Sequence, residues 1–201
     1  LIITGDVSFS GKHDEYKDAL KWFSTFLEEL WPGKDMRERI LLVPGNHDIN
    51  LRFSAEDHYD YSFDKKSLKK LSKTKVSKGQ AIYAISPFKD FAYKLSGDLD
   101  WLPSDNNLCW QSEKFLHIGI RFFLLNSTSS INFENPNLPK IDEKSLENLS
   151  KSKRIEEEGY LFNIAISHHG PPDTKHSEVE TYSNWDKIKS FFEIKNIDML
   201  I

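Results

Sequence analysis

The chain has 201 residues, 38% hydrophobic and 13% aromatic, which is enough apolar material to bury the core of one globular domain over residues 1–201. The formal net charge of −4 at pH 7 argues against an electrostatic nucleic-acid binder, and no apolar run reaches the length of a membrane span. The single cysteine, Cys109, excludes an internal disulfide and is compatible with the cytoplasmic location that we expect.

The first part of the chain has the pattern of a β-α-β unit. Aliphatic and β-branched residues at Leu1–Thr4 and Ile40–Val43 predict two buried strands. Between them, apolar residues recur at steps of three and four from His13 to Trp31, which predicts an amphipathic helix that a Pro-Gly pair ends. The crossover between the two strands should be right-handed. His13 is interpreted as a solvated residue.

Residues from about 51 to 108 are interpreted as an inserted region. Its lysine-rich segment, Lys65–Lys78, is typical of a solvated surface, with a strip that binds phosphate as the alternative reading. Pro87–Leu95 predicts a short helix.

Strands return from Leu108, where two apolar segments separated by Gly119 predict antiparallel neighbours, with His117 inside the first. The remaining predicted elements are a helix over Ser145–Glu158 that ends at Gly159, a strand at Leu161–Ile166, a helix over Tyr182–Ile194 and a last strand within Ile197–Ile201. The fold class is therefore α/β, and we expect one sheet whose mainly parallel strands include Leu1–Thr4, Ile40–Val43 and Leu161–Ile166.

Polar side chains follow three of the predicted strands at the point where each strand ends. Gly5-Asp6 follows the first, Pro44-Gly45-Asn46-His47-Asp48 the second, and Ser167-His168-His169 the third. Because the carboxyl ends of parallel strands share one edge of a sheet, we expect these side chains to converge there. The alternative is that P-G-N-H-D is only a turn, with Asn and Asp present for backbone reasons.

The combination of G-D-x-x-x-x-G, P-G-N-H-D and a strand that runs into H-H-G-P resembles the calcineurin-like metallophosphoesterase superfamily. The resemblance implies a layered α/β sandwich with mixed sheets flanked by helices. That family has five ligand blocks, and this chain shows the middle three, without the first Asp-x-His and the last Gly-His-x-His. We therefore expect a fragment, truncated at both ends, whose partners include other domains of the same longer chain.

The resemblance also implies a cofactor of two divalent metal ions, with manganese as the first expectation and iron, zinc or nickel as alternatives. Asp6 would bridge the ions, and Asn46 and His168 would complete most of one ion's shell. His169 would lie behind the ligands. The family often has proline where Gly170 stands, so the choice between His168 and His169 stays open.

Two further residues receive catalytic roles from the resemblance alone. His47 would face the substrate and stabilise developing charge or protonate the leaving group. Asp48 would orient His47, as carboxylates commonly do for histidines.

The predicted function is that of a metal-dependent phosphoesterase that hydrolyses phosphomonoesters or phosphodiesters through a hydroxide activated by two metal ions. The alternatives are a DNA or RNA nuclease of the same superfamily and a non-catalytic binding or regulatory module. The expected partner is a phosphate-ester substrate, with nucleotides and nucleic acids as candidates, and no membrane. Substrate choice would be made by the inserted region 51–108.

Overall fold

The computed structural model of the chain describes residues 1–50, 84–98, 109–131, 138–152, 162–172 and 181–201. These ranges contain the strands β1 (Ile2–Ile3), β2 (Leu41–Leu42), β3 (Cys109–Ser112), β4 (Ile120–Leu125), β5 (Phe162–Ile166) and β6 (Met199–Leu200). They also contain the helices α1 (His13–Leu30), α2 (Ser86–Ser96), α3 (Glu143–Lys151) and α4 (Trp185–Lys195). In this described part of the chain, no helix is both long enough and apolar enough to cross a bilayer.

The predicted β-α-β unit is confirmed, because β1 and β2 pair in parallel and α1 lies between them in the chain. Helix α1 begins where Glu15 accepts hydrogen bonds from the backbone N–H groups of Ser10 and Lys12, at 3.0 and 3.1 Å. It ends beside a Pro-Gly pair, with Trp31 as the cap. The unit therefore delivers the segments after β1 and β2 to the same edge.

The four other strands form a second sheet in the order β3-β4-β5-β6. Strands β3 and β4 are antiparallel, as predicted, and β4, β5 and β6 run parallel to one another. The expectation that β1, β2 and β5 share one sheet is wrong, because β5 pairs with β4 and β6 while β1 pairs with β2. An apolar run indicates that a strand is buried but not which strands it pairs with, so this pairing could not be predicted from the sequence.

The second sheet has a separate apolar core on each face. Phe122 and Leu124 of β4 pack in one core with β1, β2, α1 and α2. Phe123 and Leu125, which point the other way, pack in a second core with α3 and α4. The fold is therefore the predicted layered α/β arrangement of mixed sheets and helices.

Several predicted boundaries are corrected. Strand β3 ends at Ser112, and His117 lies in the helical turn Leu116–Ile118, where it is exposed. Helix α3 ends at Lys151 rather than near Gly159, because the ammonium of Lys195 binds the carbonyl oxygen of Ser152 at 2.9 Å and holds that residue outside the helix.

The predicted short helix over Pro87–Leu95 is confirmed by α2. The other parts of the predicted insertion, 51–83 and 99–108, lie outside the described residues, and the lysine-rich segment falls within the first of them.

Candidate active site

Three strand ends meet at one edge of the molecule and bring Asp6, Asn46 and His168 together. The Nε2 atom of His168 lies 3.1 Å from Oδ1 of Asn46 and 3.5 Å from Oδ2 of Asp6. These three side chains follow β1, β2 and β5, so the convergence expected from the sequence is present although the strands belong to two sheets.

The tautomer of His168 follows from its second ring contact. Its Nδ1 atom lies 2.7 Å from the carbonyl oxygen of Thr4, and a carbonyl only accepts, so Nδ1 carries the hydrogen and donates it. In the neutral ring, Nε2 therefore presents a lone pair toward the oxygens of Asn46 and Asp6. Three lone-pair donors that face one another at these distances are the arrangement that a divalent cation stabilises.

This group fits a metal ion through a mixed set of ligands. In the ranges that the structure describes, no three side chains of His, Cys, Asp or Glu come together as a metal site. The third donor is instead the amide oxygen of Asn46, which is neutral and suits a hard cation. Asp6 supplies one carboxylate oxygen on this side, while its Oδ1 atom accepts the backbone N–H of His47 at 3.1 Å.

His47 lies beside Asp6, whose Oδ1 accepts its backbone N–H, and is exposed to solvent. Its Nδ1 atom donates to the carbonyl oxygen of Phe9 at 3.0 Å, and its ring stacks on the Phe9 ring with centroids 5.8 Å apart. The carbonyl fixes the ring's orientation and leaves Nε2 as the ring nitrogen outside this hydrogen bond.

Asp48 occupies a different place from the one that its predicted role requires. Its carboxylate is buried and accepts hydrogen bonds from the N–H of Ser8 (3.0 Å), the hydroxyl of Tyr16 (2.8 Å) and the N–H of Gly45 (2.8 Å). Burial raises the pKa of Asp48, against the lowering effect of these donors. The expectation that Asp48 orients the ring of His47 is therefore corrected: Asp48 fastens the two motif loops to each other and to α1.

His169 lies behind His168 and does not face Asp6 or Asn46. Its ring meets the ring of His168 edge-on at 4.7 Å, and its Nδ1 atom lies 2.7 Å from the hydroxyl of Ser127. Burial, together with the adjacent His168, lowers the pKa of His169 to about 4. A neutral His169 adds no charge beside a cation site, and the geometry selects His168 as the histidine that faces Asp6 and Asn46.

Sequence reasoning missed three groups of this site: the carbonyl of Phe9, the hydroxyl of Ser8 and the hydroxyl of Tyr16. Tyr16 fits the apolar spacing of α1, which predicts burial but no polar contact, and it is 3% exposed. The available signal was a serine inside the Gly-Asp motif loop, which is a position where hydroxyls commonly bond local backbone.

Comparison with known proteins agrees with the geometry. The family model described as calcineurin-like phosphoesterase matches residues 1–201. No curated protein and no solved structure gives a significant match to this chain. The chain belongs to the calcineurin-like phosphoesterase family, and this membership places it among phosphoester hydrolases, a class that usually binds divalent metal ions.

Proposed function

We propose that this chain is a module of a larger bacterial protein that hydrolyses phosphate esters with two divalent metal ions, manganese first among them, and that Asp6, Asn46 and His168 hold one side of that pair. The observation that carries the proposal is the convergence of three lone-pair donors within 3.5 Å, with the exposed His47 beside them. A turn that served only the backbone would need neither a facing histidine from β5 nor the carboxylate from the loop after β1.

Bound ions at this edge would supply Lewis-acid polarisation of the phosphoryl oxygens and activation of water. The chain's own residues supply position. The Asp6 carboxylate directs Oδ2 toward His168, and its Oδ1 accepts the backbone N–H of His47, so the carboxylate is held where it would bind the ions. Asn46 completes the set without adding negative charge, which favours the approach of an anionic ester.

The proposed role of His47 is general acid and charge stabilisation at the leaving oxygen. The Nδ1–H group of His47 donates to the carbonyl oxygen of Phe9, so the second N–H proton of the imidazolium form is on Nε2. As the phosphorus–oxygen bond breaks, that proton passes to the leaving oxygen and the ring becomes neutral. Groups of this kind typically account for about 10²–10⁴-fold in rate.

The test separates metal ligands from the group that acts on substrate. Asp6→Asn removes the negative charge that attracts the cations, and Asn46→Ala removes an oxygen donor, so both variants should lose bound metal and diester turnover together. His47→Ala should keep its metal and lose about 10²–10⁴-fold in kcat. Asp35→Asn is the matched control, since Asp35 is an exposed carboxylate paired with Arg37. Metal content is measured by elemental analysis after dialysis against Mn²⁺.

Two results would contradict this division of roles. Loss of metal in His47→Ala equal to that in Asp6→Asn would make His47 a ligand. Full turnover in all three variants, or turnover that survives a strong chelator, would remove the phosphoesterase proposal itself.

Substrate scope decides between the proposed hydrolase and its alternatives. The assay uses bis(p-nitrophenyl) phosphate, nucleotides and plasmid DNA with the metal-loaded protein. Nicking of DNA without hydrolysis of small diesters would favour the hypothesis that the protein is a nuclease. Metal-dependent binding of phosphate esters without any turnover would favour a binding or regulatory module.

A further inference from the structure

Phe9 is the most exposed large apolar residue of the described chain, with 81% of its surface open to solvent. It lies in the loop after β1, and its ring stacks on the ring of His47 at an interplanar angle of 28°. An exposed phenylalanine leaves its apolar surface in water, where it gains none of the free energy that burial provides. Here that surface lies directly beside the proposed general acid.

The loop holds Phe9 in this position from both sides. The N–H of Ser8 donates to the buried Asp48 at 3.0 Å, and the N–H and hydroxyl of Ser10 bond the carboxylate of Glu15 at 3.0 and 2.9 Å. The carbonyl of Phe9 accepts Nδ1–H of His47. Because both neighbours and its own carbonyl are hydrogen-bonded, the backbone of Phe9 is fixed at the edge of the site. Its ring lies there against the ring of His47.

We propose that Phe9 is a stacking platform for a planar aromatic group in the leaving part of the phosphate ester, with a nucleobase as the chemical class. The inference rests on the proposed function. His47 delivers its proton to the leaving oxygen, so a ring stacked on His47 lies beside the group that departs. Aromatic faces bind every base without regard to sequence, and one such contact changes affinity by about tenfold.

The kinetic test compares two esters with the same leaving oxygen. A nucleoside 5′-phosphate and ribose 5-phosphate differ only in the base, so the ratio of their kcat/KM values measures what the base contributes. Both are used as monoesters and as methyl diesters. Phe9→Ala should lower this ratio about tenfold, and Phe9→Tyr should keep it. Trp22→Ala is the control, because Trp22 is an exposed aromatic residue of α1 that should not alter the ratio.

A binding measurement decides the inference independently of turnover. Methylene phosphonate analogues of the same two compounds are titrated into the Mn²⁺-loaded protein by calorimetry. The nucleoside phosphonate should bind more tightly than the ribose phosphonate, and Phe9→Ala should remove about tenfold of that difference. If no ester is hydrolysed, the proposed function fails, and this titration still tests Phe9.

A single-stranded oligonucleotide analogue forms a further arm, which distinguishes a free nucleotide from a strand end as the source of the base. A Phe9-dependent preference in either arm supports the inference. An unchanged ratio in Phe9→Ala, or equal losses for the base-containing and base-free compounds, would overturn it and leave Phe9 with its contacts to His47 alone.

Discussion

Close contact between the two motif loops explains the glycines at positions 5 and 45. A Cβ atom on Gly5 would lie 2.3 Å from the backbone nitrogen of Gly45, and a Cβ on Gly45 would lie 2.2 Å from Oδ1 of Asp6. Asp6 itself has φ of 54°, a left-handed conformation that costs energy for any residue with a side chain. The loop accepts this strain where it places the carboxylate between His47 and His168.

Gly45→Ala should therefore damage the site directly. The added methyl must displace the Asp6 carboxylate, so we expect Mn²⁺ affinity to fall by about 10–100-fold and the free energy of unfolding to fall by about 1–3 kcal/mol. Calorimetric titration and urea denaturation of the metal-free protein measure the two effects. Gly170→Ala is the control, because in the described structure its Cβ would meet no atom within 4 Å. Equal effects from the two variants would contradict the close-contact explanation.

At this scale the sequence predicted which side chains would meet but not all of their partners. Asp6, Asn46 and His168 could be predicted to meet, since each follows a strand and strand ends converge. The partner of His47 could not, because it is the main-chain carbonyl of Phe9, and a carbonyl is present at every position. Asp48 was misassigned for a related reason: adjacent residues point in different directions, and the motif does not show which one faces inward.

At the scale of elements, helix α1 is hydrogen-bonded to both loops that carry the site. Tyr16 donates to Asp48 at 2.8 Å, and Glu15 binds the loop that carries Phe9, so the first turns of α1 support both motif loops. The helix was predictable from its apolar spacing. Its connection to the site could not be predicted, because Tyr16 stands at a position of that spacing where any apolar residue would fit.

Tyr16→Phe tests this connection. Removing the hydroxyl leaves the buried Asp48 carboxylate one donor short, which should lower the free energy of unfolding by about 1.5–3 kcal/mol. Tyr93→Phe, in the exposed part of α2, should change it by less than about 0.5 kcal/mol. Both are measured by urea denaturation in chelator. A loss for Tyr16→Phe no greater than the loss for Tyr93→Phe would show that α1 does not support the site through this bond.

At the scale of the molecule, the described residues form two apolar cores on opposite faces of the four-stranded sheet. Alternation along β4 assigns Phe122 to one core and Phe123 to the other, which is why Phe122–Leu125 is a continuous apolar run that is buried on both faces. The fold class followed from this pattern. The division into two sheets did not, because it depends on which strand edges pair across long stretches of chain.

Cys109 reports on the second core. The thiol is 3% exposed, and burial raises its pKa to about 12, so at about pH 8 the reactive thiolate is almost absent in the folded protein. A chromogenic thiol reagent should therefore label the native protein no faster than it unfolds. Protein in denaturant is the control and should react at once with one equivalent, since the chain has one cysteine. Fast labelling under native conditions would contradict the packing of the second core.

The central claim is that Asp6, Asn46 and His168 bind a metal ion together, and anomalous diffraction tests it most directly. Crystals grown with Mn²⁺ are measured at the manganese absorption edge. We predict an anomalous peak about 2.0–2.3 Å from a carboxylate oxygen of Asp6, Oδ1 of Asn46 and Nε2 of His168. A peak bound instead through His169 or Asp48, or fully loaded protein with no peak among these three atoms, would contradict the account.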